Sequence, residues 1–370
     1  MGRGRRPCGE RGSPPAKISP GEREGTRFMM RLPVFEFRAP RTLQEAARIL
    51  DGERANAMPL AGGTDLLPNM KRRQQVPRTL MSLRHIQSLS DIELSPSGLR
   101  LGACLTLAAI AGDPRFRNGL TALAQAASLV ATPQIRNLAT LGGNVCLDTR
   151  CNYYDQSYEW RKSINFCLKK DGTTCWVAPG SSKCMAVSST DTGPALMALG
   201  ARVRLVSHSG EREVLLSDLY NNDGIDYIKR RPDEILAEVL LDSLQGWKST
   251  YWKLRRRGSF DFPVLSVAAA ARLSRDKVVE GAHIVVGAAA CQPLAAREAA
   301  NSLLGRPLNQ PAIEEAAALA ARIAKPLDNT DFDMTWRKRV TAEFVGYALR
   351  ELRGDDVRSE RESFTRYAFD

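Results

Sequence analysis

Residues 132–148 read TPQIRNLATLGGNVCLD, and residues 58–70 read MPLAGGTDLLPNM. In each, a structured approach runs into paired glycines and then into a donor-rich or apolar continuation, the pattern of a turn between two regular elements. Adjacent glycines leave successive backbone N–H groups uncovered by side chains. A diphosphate can then approach closely and be held by a nest of donors without a Walker lysine. Thr64, Thr140 and Asn144 add hydroxyl and amide donors at the same places. A glycine pair is equally an ordinary turn between a strand and a helix, and at this point both readings stand.

Outward from these loops the chain mixes strands and helices. PVFEFRAP (33–40) alternates like a short strand, and TLQEAARILDG (42–52) opens on a Thr cap, runs apolar at helical spacing and stops at glycine. LTALAQAASLVA (120–131) and STDTGPALMALGA (189–201) read as helices, and ARVRLVSHSGEREVLLSDLY (201–220) as a hairpin turning at Ser209-Gly210. Polar SLQGWKST (243–250), after the strand-like EILAEVLLD, marks a boundary. Beyond it, strands such as WKLRRRGSFDFPVLSVAAAARL alternate with alanine-rich helices such as PAIEEAAALAARIA (311–324). The expected class is α+β: a two-part domain over 29–245 and a smaller α+β domain over 246–355, with the charged end 356–370 fraying.

The chain has 370 residues, 43% hydrophobic and 25% charged, close to the averages for globular proteins. No run of about 18 apolar residues is present, which removes a transmembrane helix of that kind. The first residues lack the apolar core of a secretory signal, so a cytoplasmic protein is expected. The net charge is +12, but residues 1–28 hold seven Lys or Arg against three Glu and carry +4 of it. That stretch also has six Gly and four Pro and is expected to be disordered, with Met29 or Met30 as an alternative start. Binding of RNA or an acidic partner is its other reading; the expectation is no nucleic acid and no membrane. The dinucleotide fingerprint, the P-loop and the zincin helix are all missing, and His85, His208 and His283 are scattered, which gives hydrolase chemistry no support.

Five of eight cysteines, Cys146, Cys151, Cys167, Cys175 and Cys184, fall within residues 146–184. Cys8, Cys104 and Cys291 are isolated in sequence and read as tail or core residues. The segment 148–183 around the cluster is polar, aromatic and charged with little periodicity, and so long a loop needs something to order it. In a cytosolic chain such cysteines read as a metal or redox site before disulfides. Zinc ribbons show two C-x2–4-C knuckles and this segment has none, which tilts the reading toward iron–sulfur. Cys151, Cys167, Cys175 and Cys184 give C-x15-C-x7-C-x8-C, although spacing alone does not fix which four of the five ligate. Free cysteines in a loop are the plain alternative. Lys253 with Arg255, Arg256 and Arg257 makes a basic group that suits either an anionic cofactor edge or a solvated face.

Four blocks occur in one order: AGGTDLLPNMK (61–71), TPQIRNLATLGGN (132–144), STDTGPALMALGA (189–201) and YWKLRRRGSFDFPVLSVAA (251–269). On them the chain, from about Phe35 to about Leu352, resembles the FAD-binding medium subunits of molybdenum hydroxylases, relatives of xanthine and carbon monoxide dehydrogenases. The resemblance implies a two-part FAD-binding domain with the diphosphate on both glycine loops, and a smaller C-terminal domain. It carries flavin contacts onto Ala61, Gly62, Gly63, Thr64 and Asp65, onto Thr140, Gly142, Gly143 and Asn144, and onto Asp191, with Lys253 near the isoalloxazine. Some relatives have Asn where Gly63 stands, which leaves a backbone contact intact.

Most of the family passes directly from the second glycine loop to the block containing Asp191, whereas this chain inserts residues 146–187. The insertion is similar to that of a reductive branch of the family, which carries a [4Fe–4S] cluster there. That resemblance implies Cys151, Cys167, Cys175 and Cys184 as ligands and leaves Cys146 as a non-ligand beside the flavin loop. It also implies partners: a large molybdenum-cofactor subunit and a small subunit with two [2Fe–2S] clusters, in a dimer of heterotrimers. Electrons would enter from ferredoxin, for which a basic body is suited by complementary charge. No catalytic residue is expected in this chain. The alternatives are the FAD subunit of another molybdenum hydroxylase, and a zinc-stabilised interaction module with no redox role.

Overall fold

The computed structural model describes residues 30–366. The stretch 1–28, with its expected disorder, and Cys8 lie outside the described residues. Among the described residues three sheets carry the fold. The first is parallel, with β1 (Glu36–Arg38), β2 (Ala57–Leu60) and β3 (Thr79–Ser82) in the order β1-β3-β2. Parallel strands need crossovers, and the helix Leu43–Glu53, between β1 and β2 in the chain, supplies the one that carries β2 past the position β3 later fills. Its start was legible: Thr42 accepts the Glu45 N–H at 3.1 Å while the Glu45 carboxylate accepts the Arg41 N–H at 2.9 Å. Ala46, Ala47 and Leu50 bury its inner face. Thr42→Ala is expected to lower stability by about 1 kcal/mol, read as a urea midpoint shift at constant slope.

The second sheet is antiparallel, with β4 (Ile92–Ser95), β5 (Gly98–Gly102), β6 (Arg202–Ser207), β7 (Gly210–Leu215) and β8 (Ile235–Asp242) in the order β4-β5-β8-β6-β7. Strand β8 is central and buried at every position except Asp242, matching its near-continuous apolar run. Both glycine segments border these two sheets: the first follows β2 as a turn, whereas the second, expected as a turn, forms the short helix Leu141–Val145, which Thr140 caps and which contains Gly142 and Gly143.

The third sheet holds β9 (Trp247–Leu254), β10 (Leu265–Leu273), β11 (Val279–Gly287) and β12 (Leu294–Ala295), antiparallel in the order β12-β11-β10-β9. Strand β10 contains Ala268–Ala271, residues that favour helices in isolation. Packing overrides that preference. Ala269 and Ala271 face a core that includes the helices Gln310–Ile323 and Met334–Arg353, while Ala268 and Ala270 meet Ala122, Ala126, Ala195 and Ala198 from the other side. Small side chains on both faces let the strand sit between two layers, so the C-terminal sheet packs directly on the domain with the glycine loops.

The cysteine-bearing insertion is closed at its neck, where Arg150 and Val187 exchange N–H···O bonds of 2.8 and 2.7 Å. Contrary to its aperiodic sequence it contains a short helix, Tyr158–Ser163, capped by Ser157. It is tied down on both sides. The Gln74 amide donates to Tyr154 O at 2.5 Å and the fully buried Arg161 donates to Arg72 O at 2.9 Å; on the C-terminal side, Asn152 N–H donates to Asn329 O at 3.0 Å and the Asn329 amide to Met185 O at 2.6 Å.

The expectation of a frayed end from 356 needs correction. Residues Arg358–Arg366 form a helix, in which Arg361 donates to Glu351 at 2.6 Å and lies 4.1 Å over the Trp252 ring, and Glu360 pairs with Arg350 at 2.9 Å. The charges that looked like a solvated tail are matched by charges on the preceding helix.

Candidate functional site: a glycine-lined cleft beside a buried cysteine cluster

The two glycine loops meet across a cleft of about 450 Å³, a size suited to a cofactor. Ala61 through Asp65, Thr140, Gly142, Gly143, Asn144 and Asp191 all line it. Close approach of a neighbouring segment, the other loop for Gly62 and the end of β5 for Gly142, explains two of the glycines. A Cβ on Gly62 would lie 1.9 Å from Leu138 O, and one on Gly142 would lie 2.7 Å from the Ala103 side chain. Gly63 has φ +72°, which favours glycine for its backbone alone.

The loops differ in what they offer. Among the described residues the N–H groups of Gly62, Gly63, Thr64 and Asp65 have no hydrogen-bond partner, so the first loop presents a run of free donors. In the second loop, Gly142 N–H donates to Ala103 O, Gly143 N–H to Thr140 Oγ1 and Asn144 N–H to Thr140 O. Free backbone donors were expected on both loops and stand on the first only. The second offers close approach, together with the Asn144 side-chain NH2, which has no partner among the described residues. Asn144 Oδ1 accepts from the Thr190 hydroxyl, the Thr192 N–H and the Thr192 hydroxyl, fixing that amide in place.

Asp191 leads the helix Thr192–Ala198 and is buried. Its carboxylate accepts from the Tyr251 hydroxyl at 2.7 Å and from Lys253 Nζ at 3.0 Å, and Lys253 also donates to Leu129 O at 3.0 Å. Burial pushes the Asp191 carboxyl up and the Lys253 ammonium down, and the pair opposes both shifts. Lys253 is not on the cleft wall. It stands behind Asp191 and joins β9 to the domain that carries the glycine loops. Lys253→Met leaves a buried carboxylate without its cation and is expected to cost about 3–5 kcal/mol in urea unfolding. The neighbouring arginines do not form a patch: Arg255 donates to Leu129 O, Arg256 faces Asp331, and Arg257 braces its own loop through Asp261.

Four wall residues lay outside sequence reasoning. Arg150, directly before Cys151, is buried, pairs with Asp65 and Asp155, and has Phe262 stacked at 4.6 Å. Phe262 and Asp261 arrive from the loop between β9 and β10, and Tyr227 from the loop before β8. The block RRRGSFDF carried a signal for that loop; nothing local marked Arg150 or Tyr227.

Within the insertion, Cys151, Cys167, Cys175 and Cys184 are only 5–7% exposed. Cys151, Cys167 and Cys184 pack in one cluster with Tyr154 and Ala186. Burial pushes the Cys151 thiol up to about 12 and the Cys184 thiol up to about 11. Cys291, isolated in sequence, sits beside them with its Sγ 3.3 Å from Cys184 O. Cys146 instead lines the cleft between the glycine loops. Among the described residues no three His, Cys, Asp or Glu side chains stand at the spacing that holds a single metal ion. His283, bonded to Ala198 O and stacked on Trp247, is a satisfied structural histidine, and His85 and His208 are exposed.

Residues 33–241 match the FAD binding domain in molybdopterin dehydrogenase, and residues 249–352 match the CO dehydrogenase flavoprotein C-terminal domain. The carbon monoxide dehydrogenase medium chain of Afipia carboxidovorans is 30% identical over 321 residues, covering 86% of this chain and 96% of that one. The nicotinate dehydrogenase FAD-subunit of Eubacterium barkeri is 29% identical over 287 residues, 76% of this chain and 83% of that one. Among solved structures, reconstituted CO dehydrogenase from Oligotropha carboxidovorans aligns with a TM-score of 0.72 at 25% identity, over 88% of this chain and 100% of that one. The chain belongs to the family of FAD-binding medium subunits of molybdenum hydroxylases, the carbon monoxide and xanthine dehydrogenase family, and is an oxidoreductase subunit that binds FAD. An interaction module without redox function is thereby set aside as a reading of the whole chain. No helix among the described residues is long and apolar enough to cross a membrane.

Proposed function

We propose that this chain is the electron-transfer subunit, carrying FAD and a [4Fe–4S] cluster, of a 4-hydroxybenzoyl-CoA reductase. The observation that carries the reading is the insertion. A polar, aperiodic segment between the second glycine loop and Asp191 turns four cysteines inward beside the flavin-binding domain. Four buried thiols suit a cuboidal iron–sulfur cluster, which spaces its ligands more widely than a single ion does. Cys151, Cys167, Cys175 and Cys184 would hold it.

In the flavin cleft, the free N–H groups of Gly62–Asp65 would take the diphosphate, with Thr64 and Asn144 adding side-chain donors. Thr140, Gly142 and Gly143 allow close approach, and Asp191, held by Lys253 and Tyr251, fixes the far wall. When bound, the two groups supply storage and transfer of electrons between ferredoxin and the [2Fe–2S] and molybdenum subunits, where the aromatic hydroxyl would be removed reductively to give benzoyl-CoA. The partners are then a molybdenum-cofactor large subunit and a [2Fe–2S] small subunit in a dimer of heterotrimers. Relatives named as medium chains support such an assembly. A cytoplasmic setting and a ferredoxin donor complete the reading, and the basic body predicts association with ferredoxin that weakens as salt is raised.

The complex purified anaerobically with its partners should form benzoyl-CoA from 4-hydroxybenzoyl-CoA when given reduced ferredoxin. No turnover in that assay, with flavin reduction by an aromatic or purine substrate instead, would make the chain the FAD subunit of another molybdenum hydroxylase.

A further inference from the structure

Two buried cations join the insertion to the flavin cleft. Arg150, on the cleft wall, pairs with Asp65 of the first glycine loop and with Asp155 of the insertion at 3.1 Å. The other Asp155 oxygen accepts the Cys151 N–H at 3.2 Å. Lys169, inside the insertion, donates to Asp148 Oδ1 at 2.8 Å, to Thr149 Oγ1 at 2.7 Å and to Gly224 O at 2.5 Å, using all three ammonium protons. Asp148 lines the cleft, and Lys169 sits 5.4 Å over the ring of Tyr227, which also lines it. On the cysteine side, Gly224 N–H donates to Cys184 O at 2.8 Å, and a Cβ on Gly224 would lie 2.7 Å from Cys184 Sγ. Each cation thus holds the cleft wall with one set of bonds and the backbone that carries a cluster cysteine with another.

Both side chains of the Lys169–Asp148 pair are 6% exposed, so neither can let go without leaving a buried charge unmatched. Whatever orders the cysteine backbone also orders Asp148 and Asp65, and a ligand in the cleft does the same in reverse. Binding at the second site then carries less ordering cost, and the linkage is reciprocal.

We propose that Arg150 and Lys169 are positioning residues that couple the cysteine site to the flavin cleft, so that filling either strengthens binding at the other. The inference rests on the cluster reading above. Its test uses the full chain: FAD affinity by quenching of flavin fluorescence, before and after iron is removed by chelation. Removal of iron should weaken FAD binding by about fivefold or more, in the range of typical couplings. In Lys169→Met that ratio should fall toward 1, with Arg150 carrying what remains, while Lys169→Arg should restore part of it. Simple destabilisation would weaken FAD binding in both iron states and leave the ratio unchanged. Asp148→Asn, which keeps the side-chain shape, serves if Lys169→Met does not fold. Iron and FAD that bind independently in the wild-type chain would overturn the coupling alone. A chain that takes FAD and never iron would overturn the cluster reading and the coupling with it.

Discussion

Gly62→Ala is expected to weaken FAD binding by about 100-fold or more, equivalent to about 2.7 kcal/mol. The added methyl would lie 1.9 Å from Leu138 O, inside any tolerable contact, and the obstructing atom is backbone. The two glycine loops must separate to admit it, which moves the donors of Gly62–Asp65 away from the second loop. Overpacking of this kind costs about 1–3 kcal/mol before any ligand is considered. Gly52→Ala is the control. It lies in the helix Leu43–Glu53 with nothing within 4 Å of the added atom, and should leave FAD binding unchanged while raising stability by about 0.5–1 kcal/mol. Equal FAD affinity in Gly62→Ala and wild type would show that contact between the loops does not build the cleft.

Cys167→Ser should strip the chain of iron while it still takes up FAD supplied in excess. A serine hydroxyl, far harder to deprotonate than a thiol, is a much weaker ligand for cluster iron, and Cys167 sits at the centre of the insertion with its backbone bridged to Lys170 and Asp171. Cys146→Ser, on the cleft side, should retain iron. Iron content and the visible spectrum separate the two variants. Iron retained in Cys167→Ser, or lost in Cys146→Ser, would reassign the ligands.

The parts of this architecture written in local sequence were legible. The first glycine loop, the Thr42 cap, the hairpin of β6 and β7 and the insertion each announce themselves within a few residues, because turns, caps and sudden polarity are local physics. What was not legible depends on partners distant in the chain. Cys291 lies 107 residues beyond the thiol cluster it joins, and Arg150 gains its meaning only from Asp65, Asp155 and Phe262. The second loop's N–H groups looked as available as the first's until Ala103 and Thr140 were seen to take them. Lys253 was expected at the flavin and stands one layer back, because Asp191 occupies the cleft wall in front of it. The end of the chain misled for the same reason, since the charges that satisfy Arg361 belong to the preceding helix.

The most direct test is the amount of non-haem iron, acid-labile sulfide and FAD on this chain, counted after anaerobic purification with its partners and separation from them. A flavoprotein with an inserted cluster predicts about four irons, about four sulfides and one FAD per chain. One FAD with neither iron nor sulfide would contradict the inserted cluster and leave an ordinary flavin subunit of the same family.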